Sequence, residues 1–402
     1  MRPLVMSLLV AAALSLCHAT KAAPVSDLDV LRQGAGDESF AQADSPRAFH
    51  FPADHGPHPD FRHEWWYVTG NLDGEGHRYG FELTFFRLAL APGAGSGTAP
   101  AAPATAPATT APVRAPATTA PVATNAPVAA LSRWRARQIY AAHFAVTDVT
   151  RGQFRYAQKF SREALGLAGA AADPLRVWID DWQIAARDAS RWELHAAGAD
   201  YELTLTLRVM QQPVLNGEQG LSRKAAETGA ASYYYSMPRL EVSGTLLHAG
   251  HSTPVSGLAW LDREWGSGSL GRGQRGWDWF ALQLDDGSAL MFYSLRGADG
   301  IPDPHSAGTW VEPSGQSRAL GSQDVRVEVL DRWTSPRGGR YPARWRLVVP
   351  SLGLDLEARP VLPDQELGTR PRYWEGAVDL RGRRASRAVS GRGYVELVGY
   401  GE

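Results

Sequence analysis

Cysteine is almost absent: Cys17 is the only one in 402 residues, and it lies in the first apolar stretch. The rest of the chain therefore has no disulfide, no thiol nucleophile and no cysteine-held metal. Lysine is nearly missing too, at Lys21, Lys159 and Lys224 only, and the arginines that stand in for it form no basic block. With a net charge of −1, nothing points to nucleic acid or to an acidic membrane surface. After the first stretch no apolar run is long enough for a transmembrane helix. Standard catalytic signatures are also missing. There is no G-x-S-x-G elbow, no phosphate loop and no H-E-x-x-H, because His63-Glu64 continues into Trp65-Trp66-Tyr67. His55, His58 and His63 match the spacing of no common metal site. Neither a metal nor a cofactor is expected.

The opening MRPLVMSLLVAAALSLCHATKAAP reads as a secretory signal over residues 1–22, with Arg2, an apolar core from Leu4 to Leu16 and small residues after it. Cleavage is expected near residues 19–23, which places the mature chain in the periplasm or outside the cell. Leu16 is too large to precede a lipidated cysteine, which argues against a lipid anchor. A core without disulfides is supplied by 14 Trp, 13 Tyr and 12 Phe. Residues 91–130 are Ala, Pro, Thr and Gly, with ATTAPV occurring at Ala108–Val113 and again at Ala117–Val122. That composition buries no core and is expected to be a mobile surface insert at a hairpin tip.

Elsewhere the hydrophobic period is two. Tyr79, Phe81, Leu83 and Phe85 alternate with Gly80, Glu82 and Thr84, and Tyr201, Leu203, Leu205, Leu207 and Val209 alternate with polar residues. These are half-buried strands, and the class is all-β. Turn signals separate them, as at Asp73-Gly74 and Asp286-Gly287. One short helix is expected over Ser161–Ala168. Trp66-Tyr67 before Asp73-Gly74 is echoed, 213 residues on, by Trp279-Phe280 before Asp286-Gly287, and each following strand ends in arginine, Arg87 or Arg296. The repeat predicts two barrels in tandem, residues 23–235 and 236–402. In that alignment Glu64 falls opposite Trp277 and has no acidic counterpart.

Chemistry is expected where acids sit among aromatics: His63-Glu64-Trp65-Trp66, the run Trp260 to Trp265, Trp277-Asp278-Trp279 and Tyr373-Trp374-Glu375, with Tyr233-Tyr234-Tyr235 beside them. Apolar walls desolvate a carboxyl and raise its pKa. A neutral carboxylic acid can then protonate an alkene, and aromatic faces can stabilise the cation that forms. Each acid also has a plainer reading as half of a buried ion pair, and Trp and Tyr in strands are usually core. His143 points away from the apolar face of its strand and reads as a surface residue.

Six stretches resemble the AttH/CrtC family of secreted lipocalin-like proteins, which includes carotenoid 1,2-hydratase and proteins described as predicted secreted hydrolases. They are His58–Leu72, Ala141–Asp148, Tyr233–Leu246, Gly257–Ser267, Gly276–Gly287, and Tyr373–Val378 with Gly391–Tyr400. The resemblance implies two lipocalin-like β-barrels packed together around an apolar pocket. It implies either cofactor-free hydration or hydrolysis of an isoprenoid- or lipid-like molecule, or a carrier serving an ABC transporter permease. In the hydratase pattern, Asp-His-Asn-Trp stands where this chain has Asp262-Arg263-Glu264-Trp265, and Tyr-x-Asp where it has Tyr293-Ser294-Leu295. The implied catalytic residues are thus Asp262, Glu264 and Tyr293, with Glu264 standing in for a missing proton donor. The implied ligand-binding residues are Glu64, Trp65, Trp66, Tyr235, Trp260, Trp265, Trp277, Trp279 and Trp374.

Overall fold

The computed structural model describes residues 37, 39–92, 137–268, 270–297 and 299–401. The expected signal segment and nearly all of the insert lie outside them. Alternating apolar residues turn most of the described chain into strand, with two single-turn 3-10 segments and no α-helix among the described residues. The first sheet contains β1 (His63–Gly74), β2 (His77–Ala89), β3 (Gln138–Asp148), β4 (Gln153–Arg162), β5 (Ala168–Ala172), β6 (Leu175–Ile179) and β7 (Trp182–Ala186). It continues with β8 (Arg191–Ala197), β9 (Tyr201–Val209), β10 (Val214–Leu215), β11 (Leu221–Arg223), β12 (Ala231–His248) and β13 (His251–Gly268). The second sheet contains β14 (Gln274–Leu284), β15 (Ala289–Gly297), β16 (Ala307–Val311), β17 (Ser317–Gly321) and β18 (Arg326–Thr334). It ends with β19 (Arg340–Val349), β20 (Leu354–Pro360), β21 (Glu366–Leu367), β22 (Tyr373–Arg384) and β23 (Arg387–Val398).

The first sheet has the order β4-β3-β2-β1-β13-β12-β9-β8-β7-β6-β5, and the second β17-β16-β15-β14-β23-β22-β20-β19-β18. Each curls into a barrel-like unit with its own apolar interior. Trp66, Val68, Phe81, Leu205 and Trp265 fill the first, and Phe280, Leu282, Trp345 and Trp374 the second. A third cluster, with Tyr67, Tyr234, Trp279, Tyr293 and Tyr373, forms the seam between the two. β1 shows why two-sided aromatics were needed. Trp66 faces the barrel interior while Tyr67 faces the seam.

Four sequence expectations change. The boundary expected between residues 235 and 236 cuts through β12. β13 returns from β12 to pair with β1, so residues up to Gly268 complete the first sheet and the second begins at Gln274. Ser161–Ala168 is the end of β4, a turn and the start of β5 rather than a helix. Leu165 and Gly166 have φ of +56° and +74°, outside the right-handed helical region. Asp73-Gly74 ends β1, and the tight turn is Glu75-Gly76, with φ of +49° and +77° at its two positions.

The repeat alignment is also off by one residue. Trp66 and Phe280 face the two interiors, whereas Tyr67 and Trp279 face the seam. A one-residue slip in a strand exchanges every side chain between faces. With the faces matched, Glu64 corresponds to Asp278, not to Trp277. Glu64 pairs with Arg87 of β2 and Asp278 with Arg296 of β15, so the same acid–arginine pair recurs in each barrel. The residues flanking the insert pair as a hairpin, Ala89 opposite Gln138.

Candidate functional site

Strand register assembles the site as rows on the outer, seam-facing side of each sheet. In the first sheet, Ser236, Asp262, Tyr67, Thr84, His143 and Gln158 lie directly opposite one another across β12, β13, β1, β2, β3 and β4. The next row is Tyr234, Glu264, Trp65, Phe86, Ala141 and Phe160. In the second sheet Tyr293, Trp279, Glu396 and Glu375 form a row across β15, β14, β23 and β22. Between the sheets these rows enclose a cavity of about 340 Å³. It reaches the surface at Phe160, which is 59% exposed, and at Arg370.

Asp262 is held by three donors: the Tyr234 hydroxyl, the Ser236 hydroxyl at 2.5 Å and the Trp260 indole N–H at 2.7 Å. Burial outweighs those hydrogen bonds and pushes its carboxyl up to about 7. Glu264 accepts from the Ser232 hydroxyl and pairs with Lys224 at 3.1 Å. Burial alone would lower the Lys224 pKa, but Glu264 and Tyr293 hold it above its ordinary value. Its ammonium stands 3.9 Å from the centre of the Tyr293 ring, and the Tyr293 hydroxyl bonds Ser222 at 2.8 Å. The Trp279 indole donates to the Tyr234 hydroxyl at 3.0 Å and so links the second sheet to Asp262 through one oxygen.

Of the expected residues, Asp262, Glu264, Tyr293, Glu64, Trp65, Trp277 and Trp279 line the cavity. The others do not. Trp66, Tyr235 and Trp265 belong to the first barrel interior and Trp374 to the second. Trp260 belongs to the seam and supports Asp262 from behind. Parity separates them: even positions of β13 face the seam and odd positions face the interior. Arg263 accordingly lies over the Trp66 ring at 3.9 Å and pairs with Glu64 at 2.8 Å, away from the cavity. Leu295 does line the cavity.

Several residues that line the cavity, His143, Lys224, Glu396 and Tyr67 among them, were not assigned to the site from the sequence. His143, expected on the surface, is fully buried, because the outer face of its sheet is covered by the second barrel. It bonds the Tyr373 hydroxyl at 2.7 Å and Gln158 at 2.6 Å, and burial pushes it down to about 3. Lys224 carried a signal in its rarity. Glu396 and Tyr67 carried only ordinary strand alternation, and Tyr234 stood in the tyrosine run noted above. Among the described residues no group of His, Cys, Asp or Glu is arranged to hold a metal ion. His55 instead bonds the Tyr235 hydroxyl at 2.6 Å, and His58 stacks on Trp265 at 3.7 Å.

A family model described as AttH-like matches residues 42–400. A solved structure of an AttH protein from Nitrosomonas europaea is 34% identical, with 90% of this chain and all of that chain covered and a TM-score of 0.73. Kievitone hydratase from Nectria haematococca shares the fold at a TM-score of 0.63, with 14% identity over 92% of this chain and 98% of that one. A curated relative, the dehydratase asqC of Emericella nidulans, is 24% identical over 207 residues. That match spans 48% of this chain and 57% of the relative's length.

Proposed function

The chain belongs to the AttH-like family, and on that premise we propose that it holds an apolar, isoprenoid- or lipid-like molecule in the seam cavity and adds water to one of its double bonds without a cofactor. The observation that carries this reading is Asp262, a carboxyl raised to about 7 and facing an aromatic-walled cavity. Near neutral pH a substantial fraction of it is carboxylic acid, the form that gives a proton to an alkene carbon. The rings of Trp65, Trp279 and Tyr293 line the space in which positive charge would develop, and their faces favour a cation. Tyr234 donates to Asp262 and is placed to stabilise the carboxylate left behind. The hydratase and dehydratase among the similar proteins support water addition or removal as the reaction class. Glu264, already neutralised by Lys224, is a weaker candidate for the acid than the sequence suggested. Export to the periplasm or beyond completes the proposal, on the strength of the opening segment.

One observation favours a carrier working with an ABC-type permease instead. Arg263 and Leu295 stand where the hydratase pattern has histidine and aspartate, and Leu295 gives the cavity wall an apolar patch. The two readings separate in one experiment. The protein is purified from its own host, its bound ligand is identified by mass spectrometry, and the loaded protein is incubated in oxygen-18 water. Label in the ligand supports hydration. A bound phospholipid that takes up no label supports the carrier. Asp262→Asn is expected to lower label incorporation by about 10²–10⁴-fold while ligand retention is kept.

A further inference from the structure

Four acids line the cavity: Glu64, Asp262, Glu264 and Glu396. Two of them are neutralised locally, Glu64 by Arg87 and Arg263 and Glu264 by Lys224. Asp262 and Glu396 form no ion pair among the described residues, and they come from opposite sheets. Glu396 sits in the second-sheet row beside Trp279, whose indole bonds the same Tyr234 hydroxyl that donates to Asp262. Its Oε2 accepts the Trp277 indole N–H at 3.0 Å, which fixes the carboxyl against the cavity wall. It keeps partial exposure on a strand whose neighbours Val395 and Leu397 are buried, as a cavity-facing group should. Glu64, Asp278 and Glu366 each have an arginine partner, whereas Glu82, Glu375 and Glu396 form no ion pair among the described residues, and of these three only Glu396 lines the cavity.

We propose that Glu396 is a second proton-transfer residue of the cavity, acting against Asp262 from the opposite sheet. The proposal rests on the hydration reading. In that reaction the alkene π pair takes the proton of the Asp262 carboxyl, so a C–H bond forms as the O–H bond breaks. Water then forms a C–O bond to the resulting cation, and the Glu396 carboxylate takes the proton that this water loses. Alkene and water become an alcohol, and one proton has moved from Asp262 to Glu396. Its return through water at the cavity mouth resets the pair. Dehydration is the same sequence run backwards, with Glu396 as acid and Asp262 as base. Such a pair must ionise one member at a time. Burial, helped by the nearby charges of Glu264 and Asp262, pushes Glu396 up to about 7, into the same range as Asp262.

The test has two arms, both on the full mature chain. In the first, carbon-13-labelled aspartate and glutamate carboxyls are titrated by infrared difference spectroscopy in wild type, Glu396→Gln and Asp262→Asn. Wild type is expected to show two coupled carboxyl titrations near neutrality. Each variant is expected to lose one of them and to shift the other to lower pH. If the remaining carboxyl titrates as it does in wild type, the two groups do not share a site and the proposal falls. In the second arm lycopene, an acyclic polyene, is the probe. Its binding is read by tryptophan quenching and its hydration by oxygen-18 uptake. Glu396→Gln is expected to bind lycopene as wild type does and to lose about 10²–10⁴-fold in uptake, with Glu396→Asp recovering part of it. Full uptake by Glu396→Gln overturns the proposal. Binding without uptake by wild type overturns the hydration reading on which it depends, whatever the titrations show.

Discussion

Glu64 and Glu82 stand on neighbouring strands, both fully buried, and their surroundings drive them in opposite directions. Burial alone would raise Glu64, but Arg87 and Arg263 hold it well below the ordinary carboxylate range. Removing one member of such a buried group strands the others, which costs about 3–5 kcal/mol. Glu64→Gln is expected to lower the urea midpoint accordingly at neutral pH. The stabilisation from Glu64 is complete above its unfolded pKa of 4.5 and is lost as pH falls through the lower folded value, so the variant's deficit should shrink in acid. Glu82 forms no ion pair among the described residues, and burial raises it well above 4.5. Its contribution is therefore full below that value and declines as pH rises towards the folded pKa. Glu82→Gln is expected to unfold at a higher temperature than wild type at about pH 8, with the difference vanishing near pH 4. Asp262 belongs with Glu82 in sign, because burial raises it and it forms no ion pair among the described residues.

At the scale of the strand, β13 carries the division of labour. Asp262 and Glu264 face the cavity, while Arg263 and Trp265 face the barrel interior. The two faces should respond differently to truncation. Trp265 is completely buried, so Trp265→Ala is expected to cost about 3–5 kcal/mol in denaturant unfolding. Trp279→Ala opens the cavity wall and should instead weaken lycopene binding, read by quenching of the remaining tryptophans, with a smaller loss of stability. The alternation of β13 was legible from the sequence, because period two is a local property of extended backbone. Which side met a partner was not. His143 was assigned to water because it lay opposite its strand's apolar face, and the strand itself gave no sign that a second barrel covers that side. The repeat misled in a related way. Trp66-Tyr67 and Trp279-Phe280 match as letters, yet a one-residue slip places them on opposite faces and hid the kinship of Glu64 with Asp278.

For the whole molecule, the cavity exists only because two barrels meet. Its acid Asp262 comes from the first sheet, and its aromatic wall comes from both. The strands that flank the insert between β2 and β3 pair directly with each other, Ala89 opposite Gln138. Replacing residues 93–136 by a four-residue Gly/Ser loop is expected to shift Tm by no more than a few degrees and to leave lycopene binding unchanged. A large loss of either would show that the insert contributes to the site. The sequence by itself determined the all-β class, the presence of two barrels and the family, and it singled out Asp262 among the candidate acids. These rest on local alternation and on motifs that are contiguous in the chain. Only the tertiary structure decided where the first sheet ends, that Trp66, Tyr235, Trp265 and Trp374 are core, and that Glu396 and His143 face the cavity. Closing β13 onto β1, and packing the outer face of one barrel on the other, joins residues from opposite ends of the chain. No local pattern encodes which of two strand faces that packing will cover.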